Sequence, residues 1–85
     1  MKPLSNAEAT DVVKESIIKI IPDADFTRLL PEDRFRDVLE LDSLDFLSLV
    51  ELLTEATGIP IDEDDYPELT TLADTVRFLV DRSAG

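Results

Sequence analysis

The chain has 85 residues, 44% hydrophobic and 33% charged, with 20 acids against 8 bases and a net charge of −12. That is enough apolar content to pack one small domain over residues 1–85, so a disordered tail is excluded, and the acidic surface excludes nucleic acid and anionic membranes as partners. There is no Cys and no His, which removes disulfides, thiolate nucleophiles, soft-metal sites and the usual general base near neutral pH.

In chain order, the opening "MKPLSNAEAT" lacks the apolar core of a signal peptide, and no later apolar run is long enough to span a bilayer. The expectation is a cytoplasmic protein. The first helix starts at "SNAE", where Ser5 followed three residues later by Glu8 is a capping-box signature. Ala9, Val12, Val13, Ile17 and Ile20 recur at helical spacing, Glu15 can pair with Lys19, and Pro22 ends the helix. Residues 22–41 are too long for a plain loop. Their Phe26, Leu29, Leu30, Phe35, Val38, Leu39 and Leu41 are expected to pack across the bundle, with a turn of helix near Pro31–Phe35. A second long helix follows Asp42 and runs to Gly58, a natural terminating glycine, with Pro60 just beyond. In residues 59–69, Ile59, Ile61, Tyr66 and Leu69 are the anchors, and a short helical turn precedes Leu69. The last helix begins at Thr70 or Thr71 and turns Leu72, Val76, Leu79 and Val80 inward. Arg77 and Arg82 lie toward its C-terminal end, where positive charge suits the dipole. The fold expected is all-α: a four-helix bundle of three main helices and one short one, with a long loop between the first and second.

The second helix carries the functional signal. At about 100° per residue, Phe46, Leu49, Val50 and Leu53 form one apolar face that Ala56 and Thr57 extend and Leu47 and Leu52 flank. The opposite row reads Leu44, Ser48, Glu51, Glu55, with Asp45 nearby. Leu44 is thus an apolar residue in a polar row: either an ordinary exposed leucine, a residue covered by the loop, or a contact point for a partner. Asp42 has the short side-chain oxygen of an N-cap. That leaves Ser43 at the first helical position, where unpaired N–H groups favour phosphate. Asp-Ser before a helix is, however, a common cap with no further role. The acidic run Asp62–Asp65 lacks the ligand order and central Gly of a calcium loop. The run from Asp23 reaches Arg34 where such a loop needs an acid, so no metal site is assigned.

From Phe35 to Leu79 the chain, "FRDVLELDSLDFLSLVELLTEATGIPIDEDDYPELTTLADTVRFL", resembles the acyl carrier protein family. The Asp-Ser-Leu-Asp at Asp42–Asp45 is similar to the family's attachment motif, "TGIPIDEDD" to the segment after its second helix, and "TTLADTVRFL" to its last helix. The resemblance implies a four-helix bundle with a short third helix. It implies that a phosphopantetheinyl transferase places a 4′-phosphopantetheine arm from coenzyme A covalently on Ser43, within the motif capped by Asp42. The arm's thiol would hold acyl groups as thioesters in a fatty-acid, polyketide or other specialised pathway. It implies a monomeric carrier, not an enzyme, that docks acyl-loading, condensing or acyl-transfer enzymes through Leu44 and through acids meeting their basic patches, here Asp42, Asp45, Glu51 and Glu55. Three departures stand out. Glu40 replaces a common Gly two residues before the motif Asp, which predicts a different backbone path there. The second helix ends in the less acidic "LLTEATG". Tyr66 and Pro67 suggest a distinctive cover over the arm or cargo, and together the departures point to a stand-alone carrier of a dedicated pathway. An aminoacyl, peptidyl or D-alanyl carrier remains open, as does an unmodified acidic helical interaction module.

Overall fold

The computed structural model describes residues 3–84. Helix α1 spans Asn6–Ile20 and starts at the expected capping box: Glu8 N–H donates to Ser5 Oγ, and Ser5 N–H donates to Glu8 Oε1, both at 3.1 Å. Ala9, Val13 and Ile17 are fully buried, Val12 and Ile20 partly. The helix closes with Ile21 N–H on the Ile17 carbonyl, just before Pro22. The expected Glu15–Lys19 ion pair does not form; among the described residues the ion pairs are Arg28–Asp25 and Arg82–Asp65. Glu15 and Lys19 are both exposed, and such a pair gains only about 0.2–0.5 kcal/mol against solvation of both ends.

The long connection is built from short pieces. A 3-10 turn at Phe26–Arg28 is capped by Asp25, whose carboxylate accepts from Thr27 N–H at 3.0 Å and from the Thr27 hydroxyl. The hydroxyl bond first, then the backbone bond, holds the Asp25 carboxyl below its ordinary range. Because the folded form binds its proton less tightly, this cap helps at ordinary pH and is lost as pH falls through the depressed value.

The helical turn expected near Pro31–Phe35 begins only at Phe35: α2 spans Phe35–Val38. Residues 30–33 instead close a separate turn, with Asp33 N–H on the Leu30 carbonyl and Leu30 N–H on Asp33 Oδ2. Arg34 then forms an isolated antiparallel bridge with Thr71, and the Pro31 carbonyl accepts Ala73 N–H at 2.9 Å, fastening the loop to the last helix. Leu29, Phe35 and Leu41 are buried, Phe26 and Leu39 partly. Leu30 and Val38 are not packed as expected, being 55% and 41% exposed. Leu29 already fills the interior beside Leu30, and a one-turn helix offers the core a single large side chain, Phe35.

Helix α2 ends with Leu41 N–H donating to the Arg36 carbonyl at 2.9 Å, a closure that requires a left-handed residue between them. That residue is Glu40, with φ 57°. The departure from Gly thus falls on a position that favours glycine, and its cost is local strain. Glu40→Gly should raise stability by about 0.5–1 kcal/mol, the relieved strain exceeding glycine's added unfolded-state entropy. A denaturation midpoint shifted upward at unchanged slope checks this.

Helix α3 spans Ser43–Thr57 and ends at Gly58, left-handed at φ 73°. Phe46, Leu49, Val50 and Leu53 are buried as expected, but Ala56 is exposed and Leu47 is 42% exposed. The buried face of the helix stops at Leu53; Ala56 faces solvent, and half-buried Thr57 turns its hydroxyl back to the Leu53 carbonyl. A 3-10 helix at Glu63–Leu69 is the expected short element. It is locked to the last helix by Arg82 on Asp65 at 2.9 Å. Helix α4 spans Leu72–Ala84, with Asp74 N–H on Thr71 Oγ1 as its cap. Leu72, Val76 and Leu79 are buried and Val80 partly, joined by Thr75 and Phe78, which periodicity alone did not single out. Helix α1 packs against both α3 and α4, completing an all-α bundle of three long helices and one short one, with α2 as an added turn.

Candidate functional site

The start of α3 presents Ser43 to solvent. Asp42 caps it: Asp45 N–H donates to Asp42 Oδ1 at 2.8 Å, and Phe46 N–H donates to the Asp42 carbonyl at 2.9 Å. The N–H groups of Ser43 and Leu44 are left without helical acceptors. Ser43 is exposed, and no hydrogen bond among the described residues engages its hydroxyl. A cap formed by Asp42 alone therefore leaves the serine oxygen available for chemistry.

Leu44 is 73% exposed, so the loop does not cover it. Ser48, Glu51 and Glu55 are exposed along the same row, which runs for about 17 Å from Leu44 at 1.5 Å per residue. Asp45 is half-buried at its near end and Asp42 exposed beside it. Leu47, one turn from Leu44, adds a second exposed apolar side chain.

Ser43 also lines a cleft of about 450 Å³ that sequence reasoning did not reveal. Its apolar wall includes Leu41, Phe46 and Leu47 on one side and Tyr66 and Leu69 on the other, and Arg34 and Arg36 supply cations. Tyr66 meets the Phe46 ring edge to face, centroids 5.1 Å apart and planes at 88°. The Arg36 guanidinium lies over the Phe46 ring at 4.7 Å. Of the two residues expected to form a cover, Tyr66 lines this cleft and Pro67 does not. The arginines come from the far end of the long loop, Arg34 from the bridge to Thr71 and Arg36 from α2. A wider depression of about 650 Å³ between α1 and α4 takes no lining residue from α3.

Comparison with known proteins agrees with this geometry. The family model for the phosphopantetheine attachment site matches residues 11–79. An acyl carrier protein of Rubrobacter xylanophilus is 37% identical over 61 residues, covering 72% of this chain and 75% of that protein. A solution structure from Anaplasma phagocytophilum, provisionally assigned as an acyl carrier protein, superposes with a TM-score of 0.82 at 27% identity, covering 98% of this chain and 97% of that one. With a matching family model over most of its length and a bundle of the same shape, the chain belongs to the acyl carrier protein family, and its cofactor is phosphopantetheine.

Proposed function

We propose that Ser43 is the attachment residue and that this chain is a monomeric carrier and not a catalyst. The observation that supports this reading is an exposed, unbonded hydroxyl on the first turn of α3, at the mouth of a cleft. The residues present fit a phosphate-linked arm. The hydroxyl is accessible, two backbone N–H groups beside it lack helical partners, and the cleft offers apolar walls and two cations. Ser43 Oγ would displace adenosine 3′,5′-bisphosphate from coenzyme A, forming an Oγ–P bond as the pyrophosphate P–O bond breaks. The hydroxyl proton goes to the transferase. When bound, the group supplies a thiol that holds acyl cargo as a thioester. The chain's own part is to present the serine and to dock the enzymes of a fatty-acid, polyketide or dedicated acyl pathway. Incubation with coenzyme A and a broad-specificity phosphopantetheinyl transferase, followed by intact mass, should give a single addition. No addition under conditions that modify a control carrier would favour the unmodified interaction module.

Leu44 and the acids Asp42, Asp45, Glu51 and Glu55 form the proposed docking surface. Exposed ion pairs contribute about 0–1 kcal/mol each, so the acids steer and orient while Leu44 supplies buried contact, which suits a partner that must be released. Leu44→Ala should leave the melting temperature nearly unchanged, since its side chain is solvated. It should also lower the transferase kcat/KM by about 3–10-fold, the equivalent of losing part of one buried leucine contact. A large fall in melting temperature would instead make Leu44 a core residue.

A further inference from the structure

We propose that Arg36 is an anion-positioning residue that holds the phosphodiester of the arm at the mouth of the cleft. This rests on Ser43 being the attachment residue.

The charge around Ser43 favours such a residue. Asp42 and Asp45 flank the serine within the motif, and Asp37 lines the same cleft. A phosphodiester formed on Ser43 adds about one negative charge among three carboxylates on a chain already at −12. Among the described residues, two bases line this cleft, Arg34 and Arg36. Arg34 is exposed, whereas Arg36 is half-buried and held against the Phe46 ring at 4.7 Å. Phe46 stands three residues after Ser43 on α3, and helix neighbours at that spacing have Cβ atoms about 5–6 Å apart. The ring that fixes Arg36 is therefore the side-chain neighbour of the serine.

Arg36 is also uncommitted. Arg28 and Arg82 are paired with Asp25 and Asp65, but Arg36 has no carboxylate partner among the described residues despite the surplus of acids. Stacking on an aromatic face leaves the N–H donors at the guanidinium edge available, and their fork matches two phosphate oxygens. The phosphate, unlike the acyl end of the arm, is fixed one bond from Ser43 Oγ, so it is the anion that Arg36 can meet whatever the cargo.

The test compares apo and enzymatically loaded protein, with loading verified by intact mass, for wild type, Arg36→Gln and Arg36→Lys at low ionic strength. Two quantities are read: the change in melting temperature on loading, and the ³¹P resonance of the phosphodiester. Subtracting each apo value removes whatever Arg36 contributes to the bundle through Phe46. The loading-induced change should be more favourable in wild type than in Arg36→Gln by about 2–5 °C. Arg36→Lys should fall between, since it keeps the charge and loses the fork. The ³¹P shift should move in Arg36→Gln, and added salt should erase the difference. Equal loading-induced changes in all three, with an unmoved ³¹P resonance, would overturn the proposal. Failure of the wild type to load at all would refute Ser43 as the attachment point instead.

Discussion

Ser43→Ala should abolish loading completely while leaving the bundle intact. The chain has five serines, and four are poor substitutes. The Ser5 hydroxyl accepts Glu8 N–H as a helix cap, Ser16 is buried at 4% exposure, and Ser83 accepts Leu4 N–H and donates to the Val80 carbonyl. Ser48 is exposed but lies in the second turn of α3, where every backbone N–H already has a helical acceptor. Only Ser43 combines an accessible oxygen with unclaimed N–H groups and an adjoining cleft. The cap is formed by Asp42, and alanine is a good helix former, so the variant should match wild-type stability within about 0.5 kcal/mol. Intact mass after incubation with coenzyme A and transferase reads the outcome. A persisting addition would move the attachment elsewhere, with Ser48 the first place to look by fragment mass.

What sequence could and could not show follows from the range of the forces involved. The caps at Ser5, Asp42 and Gly58 are local chemistry, set by a few adjacent residues, and each stands where its residue type demands. The inner faces of the long helices follow from a 3.6-residue period, which holds in α3 through Leu53 and fails at Ala56, which is exposed. The connection from Pro22 to Leu41 has no period to read. Its path is fixed by distant partners, Arg34 with Thr71 and Pro31 with Ala73, and by a left-handed Glu40 that residue preference argues against. The exposed serine and Leu44 were legible because they sit on a regular helix. The cleft was not, because its walls come from three segments spread in sequence from Arg34 to Thr70, one of them the irregular loop. A closer reading of "DRFRD" could have found the arginines: two cations flanking a phenylalanine signal a buried ring with charge on either side.

Phe35→Ala should be among the most damaging single changes in the chain, lowering stability by about 3–5 kcal/mol. Phe35 is 0% exposed and is the one large side chain that α2 gives to the core. Removing it leaves a void that a one-turn helix cannot close by shifting, because α2 is fastened on both sides: by the Arg34–Thr71 bridge before it, and by the Leu41–Arg36 bond after it. In a domain of this size total stability is about 5–15 kcal/mol, and the loss corresponds to a fall in melting temperature of roughly 15–30 °C. The loss should also reach the site. Arg34, Arg36, Glu40 and Leu41 hang on this turn, and Asp42 follows directly, so loosening Phe35 frees the cleft wall and the capped end of α3 together. Loading of Ser43 should therefore slow even at temperatures where α1, α3 and α4 remain helical by circular dichroism. Ser43→Ala and Phe35→Ala thereby separate the two things the site needs. The first removes the reacting oxygen from an intact frame, and the second keeps the oxygen and dissolves the frame. Unimpaired loading of Phe35→Ala at low temperature would show that α3 alone presents the serine and that the long loop is dispensable to it.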